Sequence, residues 1–507
     1  MIRSSLPPRW DHFLVLASKI SWALFLLALP VTSFPFFPPG IGGGALVRPL
    51  AVYPLLALLL LVTLPRLLRE PLPRTLLAFL PFVLVVLAGV LLAALQGIEP
   101  AQGISVSARM LRALITLGLG GAIYFTVALV PRNSDDLSFT LRWLYIGFAL
   151  ALLWGSLQAI YVVAPGLLGT FSSAYFDLLN DLQKLVSIRR LFPTRISGPT
   201  YEPNWFAEQI SFLLMPWLFA AVLSKRSVFK VRWGWLTIEL LLLLWAGVIL
   251  VFTYSRAGLF TLLVLVFLSP LFFRSRRQAP SAAEGSRART LLRRSGLAAL
   301  AVLALALVIF LAGTQNNYFS RLWRYWTEDT RTSSYLEYIA FGQRLIYWQA
   351  AYSIYAENPI LGVGLGNFAF YFEDHLPERS FQTVPEILRI VTRSQGADRL
   401  ITSKNLYARL LAETGLVGSA AFFTFTVAVF GCALVLWLSQ NPEQKYWGAA
   451  GLLGFVMFAL TALSTDSFSI PNMWVVFGLI TAAAHIYLES NGKPQIYTDG
   501  TDNQPSP

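Results

Sequence analysis

The sequence contains a series of apolar runs, each close to the length of a membrane-spanning helix and nearly free of charge. A transmembrane helix needs about 20 apolar residues, whereas a transmembrane β-strand needs only about ten. Because lipid offers the backbone no hydrogen-bond partner, each run must satisfy its own polar groups as an α-helix. With 56% hydrophobic and 13% charged residues, the composition predicts an all-α polytopic membrane protein and excludes a soluble one.

About twelve transmembrane helices are predicted, with a large external loop between spans 9 and 10. Their approximate cores are residues 13–33, 48–64, 75–95, 110–131, 140–163, 204–223, 234–252, 257–273, 296–313, 416–438, 447–464 and 471–488. The predicted organisation is spans 1–9 in residues 1–313, an external loop or lid with short helices in 314–403, spans 10–12 in 404–489, and a disordered cytoplasmic tail in 490–507. The external loop carries eight Arg and nine Asp or Glu residues, as a small folded extramembrane unit would.

The basic residues of the short loops predict the orientation, since Lys and Arg near span ends are retained in the cytoplasm. They cluster in the N-terminal tail and in the loops after spans 2, 6 and 8. The last of these, residues 274–294, is Arg-rich and also rich in Ala, Ser and Gly, which favours a flexible cytoplasmic connector. Both termini are therefore expected in the cytoplasm. The net charge of +13 fits contact with anionic lipid rather than binding of nucleic acid.

Polar residues crowd the predicted outer entrance of span 6. Gly198-Pro199 and Pro203 indicate a turn followed by a helix start. The turn is followed by Glu202, Asn204, Glu208 and Gln209. Ionisable groups at such a place usually face a cavity rather than lipid. Solvation of the two glutamates at the interface is the alternative.

Two further arginines are predicted on the external side. Arg256 follows Ser255 between spans 7 and 8, where it either pairs with a carboxylate or binds an anion such as phosphate. Arg344 lies on the same face of a predicted amphipathic helix as aromatic residues at 348, 352 and 355. That aromatic stripe is typical of packing and also compatible with ligand binding.

The cysteine and histidine content argues against a metal centre. Cys432 is the only cysteine and lies in an apolar span, which excludes an intrachain disulfide and a Cys-rich metal site. The three histidines, His12, His375 and His485, are scattered without metal-ligand spacing. We expect neither a metal nor a cofactor.

Several short motifs occur in a fixed order on the predicted external side. They are Arg195 before Gly198 and Asn204, Thr253-Tyr-Ser-Arg256, Arg344 before Trp348, the Gly-rich stretch 358–368, and Lys404-Asn405 nine residues before Gly415-Leu-Val-Gly418. In this order and spacing the chain resembles the O-antigen ligase and O-antigen polymerase superfamily of bacterial lipid-linked glycan ligases and polymerases. The resemblance covers roughly residues 190–470.

The resemblance implies a C-type glycosyltransferase-like fold and a metal-independent inverting transfer. The donor would be an undecaprenyl-pyrophosphate-linked glycan and the acceptor another glycan or lipid A-core, at the periplasmic side of the bacterial cytoplasmic (inner) membrane in lipopolysaccharide or other surface polysaccharide biosynthesis. It implies that Arg195 and Arg256 hold the pyrophosphate, with Arg344 as a further cation. Gly415 and Gly418 would permit close helix packing, and Asn204 and Asn405 belong to the motifs.

The chain departs from the ligase pattern at Lys404, where the ligases carry a histidine proposed to activate the acceptor hydroxyl. A lysine with its ordinary pKa of about 10.4 is a poor base at neutral pH, although burial beside arginines would lower that pKa. Lys404 is therefore predicted either as the base or as another phosphate-binding cation. Glu202 or Asp398 could take over as the base, and His375 is a further candidate.

Functions that need no transfer reaction stay open from the sequence. The substitution at Lys404 is also compatible with a catalytically inactive member of the superfamily. Twelve spans are common in solute transporters, which would place charged or broken-helix sites near the bilayer midplane. A scaffold within a glycan-export complex is another alternative. The sequence does not distinguish ligase from polymerase.

Overall fold

The computed structural model describes residues 8–38, 45–229, 231–233, 236–272, 284–314, 316–326, 335, 342–377, 387 and 400–489. Asp398, residues 315, 327–334, 336–341, 378–386 and 388–399 of the predicted lid, and the predicted tail 490–507 lie outside the described residues. Of the predicted flexible connector, residues 284–294 form the first turns of a helix, and 274–283 lie outside the described residues.

The described chain is almost entirely helical. Its helices are α1 (Pro8–Ala28), α2 (Val52–Arg69), α3 (Arg74–Leu95), α4 (Val106–Leu129), α5 (Ser134–Val163), α6 (Ser172–Gln183), α7 (Pro203–Ser224), α8 (Ile238–Phe252), α9 (Arg256–Phe272), α10 (Glu284–Thr314), α11 (Asn317–Arg324), α12 (Gly342–Glu357), α13 (Leu406–Leu438), α14 (Pro442–Thr461) and α15 (Pro471–Glu489). Short helical turns lie at Pro165–Leu168, Gly169–Phe171 and Phe368–Tyr371. A two-stranded antiparallel hairpin joins β1 (Arg232–Trp233) to β2 (Leu236–Thr237).

Each of the twelve predicted segments coincides with a helix. Among the described residues, seven helices are long and apolar enough to cross a membrane, namely α2, α3, α4, α5, α7, α13 and α15. An eighth candidate is Ala298–Thr314 together with α11, a pair bent by 110°. Helices α1, α8 and α9 contain shorter apolar segments. An all-α integral membrane protein is confirmed, and the count of twelve spans stays a prediction.

The helices pack around one large aromatic-rich interior. Helix α13 contacts α3 and α14, and α15 contacts α4. Trp217 of α7, Trp447 of α14 and Trp474 of α15 are fully buried in this interior. Leucines such as Leu84, Leu91 and Leu303 point outward and are exposed. In a soluble protein so many exposed apolar side chains would be a liability, whereas on a polytopic protein a bilayer covers them.

The described part of the predicted lid, residues 314–403, has its own small core against the start of α13. Tyr347, Ile354, Val363, Phe368 and Phe372 are buried together with Ala412 of α13. The amide of Val363 donates to the carbonyl of Ala412 at 3.0 Å, and the amide of Leu416 donates to that of Pro359 at 2.8 Å. The segment 358–368 is thereby fixed against the first turns of α13.

Candidate functional site

Arg195 is buried in the loop before α7. Its Nε donates to the carbonyl oxygen of Thr253 at 3.0 Å and its Nη2 to Asn204 Oδ1 at 2.9 Å. Its Cζ lies 4.3 Å from the centre of the Tyr318 ring. Burial lowers the pKa of the Arg195 guanidinium, but arginine remains charged at physiological pH. The side chain is therefore a charged group held by three separate contacts.

Arg256 lies near the same tyrosine ring, as the first residue of α9. Its Cζ is 5.3 Å from the centre of the Tyr318 ring. The hydroxyl of Ser255 accepts a hydrogen bond from the amide of Gly258 at 3.2 Å, which starts the helix. A side chain at Gly258 would overlap Ala207, so α9 begins in close contact with α7. The structure therefore brings Arg195 and Arg256 to one tyrosine, and we call these two residues the arginine pair.

Tyr318, the ring near both arginines, is positioned by Asn316. Its side-chain oxygen accepts from the amides of Tyr318 and Phe319, at 3.0 and 3.2 Å, and its side-chain nitrogen donates to the carbonyl of Thr194 at 2.7 Å. The start of α11 is thus tied to the residue next to Arg195. In the part of the chain that the structure describes, Arg195 forms no ion pair with a carboxylate. Two guanidinium groups near one ring repel each other, and an anion bound between them would relieve that repulsion.

Glu202 does not bind either member of the arginine pair directly. Its Oε1 accepts from Arg189 Nη1 at 2.9 Å, and both side chains are about one-third exposed. The backbone carbonyl of Glu202 also accepts from the hydroxyl of Thr200 at 2.8 Å. Glu202 therefore closes the turn before α7 and engages Arg189 in an ion pair.

Lys404 lies beside the start of α13 with a positive φ of 52°. Its amide donates to Asp466 Oδ2 at 2.9 Å, and its Nζ is 4.8 Å from the centre of the Tyr347 ring. The next residue, Asn405, caps α13 through a hydrogen bond from the amide of Ala408 to its Oδ1 at 3.1 Å. Arg344 lies one turn before Tyr347 on α12, which places both on one face of that helix. Tyr347 thus lies near Lys404 and on the same helix face as Arg344.

Buried charged residues lie in the first turns of α13, shortly after Lys404 in the chain. Arg409 Nε donates to Glu413 Oε2 at 2.8 Å, and Arg409 Nη1 donates to the backbone carbonyl of Asp466 at 2.6 Å. Arg409 and Glu413 are 7% and 3% exposed, so the ion pair is almost wholly removed from water. Arg109 of α4 donates to the carbonyl of Gly366 at 3.2 Å. The Arg109 bond connects α4 to the Gly-rich stretch, and the Arg409 bond to Asp466 connects α13 to the segment before α15.

Glu208 connects this region to the arginine pair. It lies one turn after Asn204 on α7 and is 9% exposed. Its Oε2 accepts from Thr465 Oγ1 at 2.7 Å and its Oε1 from Asn472 Nδ2 at 3.4 Å. A cavity of about 30 Å³ is lined by Glu208, Leu406, Asp466 and Asn472, among others.

Contacts therefore continue from one half of the site to the other. Arg195 binds Asn204, Asn204 and Glu208 share one face of α7, Glu208 binds Thr465, and the neighbouring Asp466 holds the backbone of Lys404. A π-helical turn, Gln209–Leu214, directly follows Glu208. Such turns inside α-helices occur frequently at functional sites.

The predicted base candidate His375 stands apart from these contacts. His375 Nε2 lies 3.0 Å from Glu357 Oε2, and its Nδ1 lies 2.7 Å from the carbonyl oxygen of Tyr371. His375 is thus engaged at the far end of α12. Asp398 lies outside the described residues. Within the ranges that the structure describes, no group of three or more His, Cys, Asp or Glu side chains could hold a metal ion.

Comparison with known families gives one match. A family model described as O-antigen ligase matches residues 241–423. This part of the chain therefore resembles an O-antigen ligase domain. This match confirms the resemblance to the O-antigen ligase and polymerase superfamily and supports a role in surface polysaccharide biosynthesis. No curated protein matches the chain.

The O-antigen ligase domain contains only part of the site. Arg256, Arg344 and Lys404 lie inside the matched residues, together with Gly415 and Gly418. The residues outside it are Arg195, Asn204, Glu208 and Asp466. The contacts of α7 and of the segment before α15 therefore complete a site that the matched domain begins.

Sequence reasoning missed the roles of Arg409, Glu413 and Asp466. The predicted core of span 10 begins at residue 416, which leaves Arg409 and Glu413 between the external loop (314–403) and that core, whereas α13 begins at Leu406. Their spacing of four residues is the signal of a helical ion pair and could have extended the helix prediction. Asp466 had no such signal, because its partner Lys404 lies 62 positions away.

Proposed function

We propose that this protein is a membrane glycosyltransferase of the O-antigen ligase type. It would transfer or polymerise glycan linked to undecaprenyl pyrophosphate on the outer side of the bacterial cytoplasmic membrane. The observation that carries this proposal is the arginine pair at Tyr318. Two fixed cations at a membrane surface can bind the two negatively charged phosphates of a pyrophosphate group. The O-antigen ligase domain supports it independently.

In the proposed reaction an acceptor hydroxyl attacks C1 of the sugar at the reducing end of the donor glycan. The bond between C1 and the pyrophosphate oxygen breaks, and the carrier pyrophosphate leaves with the electron pair. Arg195 and Arg256 would stabilise the negative charge that develops on the leaving group. Cations already in place before the reaction can lower its barrier substantially, since they need not reorganise as the charge develops.

We propose Glu208 as the group that accepts the proton of the attacking hydroxyl. It is a carboxylate, its described hydrogen-bond donors are the neutral Thr465 and Asn472, and it borders a cavity that can hold a water molecule. Glu202 is less suited because it already engages Arg189. Lys404 would then serve as a phosphate-binding cation beside Tyr347 rather than as the base.

The proposal can be tested with purified protein and a defined undecaprenyl-pyrophosphate glycan. We expect the wild type to transfer glycan and Arg195→Lys to lose about 100-fold or more in kcat, because lysine keeps the charge but not the two-pronged hydrogen bonding. Arg189→Lys is the matched control, since Arg189 is in the same loop but forms an ion pair with Glu202. It should keep near wild-type turnover.

The products of the same assay separate the possible outcomes. A ladder of lengths indicates a polymerase, and a single addition to lipid A-core indicates a ligase. Equal activity of Arg195→Lys and Arg189→Lys would remove the arginine pair from the mechanism. Absence of transfer by the folded wild type with every acceptor, together with solute uptake into vesicles, would support a transporter instead.

A further inference from the structure

A second cavity, of about 700 Å³, lies between α1, α2 and the start of α5. None of its lining residues belongs to the candidate functional site. Its apolar wall includes Trp22 and Val62, which are buried, and Val15, which is exposed at its rim. A volume of this size lies in the range of sites that bind small organic ligands.

The polar part of this cavity carries more positive than negative charge. Its basic side chains are Lys19, Arg66, Arg69, Arg132 and Arg142, and its acidic ones are Glu70, Asp135 and Asp136. Glu70 is paired with Arg132, and Asp136 accepts from the amide of Arg132 at 2.9 Å. Among the residues with a described environment, Lys19 and Arg69 take part in no ion pair. Their charges are therefore available to an anion.

Backbone carbonyls hold two of the other cations in place. Arg66 donates to the carbonyls of Leu129 and Val130, at the end of α4. Arg142 Nε donates to the carbonyl of Val228 at 2.7 Å. A carbonyl oxygen satisfies a guanidinium hydrogen but carries no net charge, so both arginines still contribute positive potential to the cavity.

We infer that this cavity binds an anionic phospholipid from the bilayer. The phosphate of the headgroup would lie on Lys19 and Arg69, and an acyl chain would follow the apolar wall formed by α1 and α2. Basic pockets between transmembrane helices are a known way to recognise anionic headgroups, and this cavity combines such a pocket with an apolar wall. The inference does not depend on the proposed transferase reaction.

The experiment is a lipid-binding titration of the purified, delipidated full-length protein. Native mass spectrometry counts phosphatidylglycerol or phosphatidylcholine bound to the wild type, to Lys19→Gln/Arg69→Gln, to Arg69→Gln and to Arg74→Gln. Arg74 is the matched control for Arg69, because it is exposed one short loop away and does not line the cavity. Folding of each variant is checked by its thermal unfolding in detergent.

We expect one phosphatidylglycerol to remain bound to the wild type and to Arg74→Gln under conditions that remove phosphatidylcholine. Affinity should fall about five-fold for Arg69→Gln and about 25-fold for the double variant, at roughly a five-fold contribution from each cation near an anionic lipid. Equal binding by the double variant and Arg74→Gln would overturn the inference. Binding of inorganic phosphate as tight as that of phosphatidylglycerol would show a simple anion site instead and would also overturn the lipid assignment.

Discussion

At the scale of single residues, the site is defined by charged groups that are held in place by neutral ones. Asn204 and a carbonyl position Arg195, Asn316 positions Tyr318, and Thr465 and Asn472 position Glu208. Neutral partners fix a side chain without cancelling its charge. The guanidinium groups therefore keep the charge that anion binding requires, and the two carboxyl oxygens of Glu208 are held in fixed positions by neutral donors.

Glu208→Gln tests the proposed proton acceptor with little change in shape. A glutamine oxygen can still accept from Thr465, so we expect the fold and the donor KM to be kept. The kcat should fall by about 10² to 10⁴, the usual contribution of a positioned general base. The measurement is steady-state transfer, with thermal unfolding in detergent as the check on folding.

The matched control for this variant is Glu202→Gln, which removes a carboxylate from the same entrance while leaving Glu208 intact. It should retain most of the wild-type kcat. If Glu202→Gln lost as much as Glu208→Gln, or if Glu208→Gln kept full turnover, another group would have to accept the proton.

Single residues were predictable where a charge stood out in an apolar context. Arg256 is a candidate for that reason, whereas Arg195 and Lys404 are candidates because of the motif resemblance. The structure adds Tyr318 and Asp466, which bind those residues from positions 62 or more away along the chain. A single sequence contains no signal for such distant pairs, and so the proposed base shifts from Glu202 and Asp398 to Glu208 only when the packing is known.

At the scale of elements, the apolar periodicity predicted where helices lie but not where they deviate. The π-helical turns in α2 and α7 and the kink in α13 have no composition signal of their own. At the kink, Gly415 has φ 62° and ψ −164°, a conformation that is essentially restricted to glycine. It allows the segment at Pro359 and Ile360 to pack directly on α13.

Gly415→Ala should therefore destabilise the protein and reduce transfer. The new methyl group would overlap the carbonyl of Ile360, and the backbone strain alone costs about 1–3 kcal/mol. Gly431→Ala is the matched control in the same helix, because a Cβ there meets only open space. Thermal unfolding of both variants in detergent measures the difference.

Gly431→Ala should leave the unfolding temperature unchanged or raise it slightly, since alanine is the better helix former. An equal unfolding temperature for Gly415→Ala and wild type would mean that the loop can move away from α13. In that case the external loop would not depend on the kink for its position.

At the scale of the whole molecule, the bilayer makes the helical architecture predictable, because lipid permits few other backbone conformations. The lateral order of the helices was not predictable. Helix α15 packs on α4, and the short connection before α15 supplies Asp466 to a site otherwise built from α7 and the loop before it, α9, α11, α12 and the start of α13. Such an arrangement depends on long-range packing, which the hydropathy pattern does not specify.

The proposed reaction requires the arginine pair to face the outside of the cell. The basic loops predict that side for residues 165–203, which include α6 and Arg195, and the cytoplasm for the short connection between α13 and α14. The natural sequence has one cysteine, Cys432, so Cys432→Ala gives a background without thiols. Asp177→Cys and Gln440→Cys would then place one exposed thiol in each segment.

In sealed right-side-out membrane vesicles, a membrane-impermeant maleimide should label the thiol introduced by Asp177→Cys. The thiol introduced by Gln440→Cys should react only after detergent opens the vesicles, because a charged reagent cannot cross the hydrocarbon core. The reverse pattern would put the arginine pair on the cytoplasmic side, out of reach of a glycan displayed on the outer face. Labelling of both thiols before detergent, with vesicle sealing confirmed, would mean that the helices between them cross the membrane an even number of times, contrary to the twelve-span prediction.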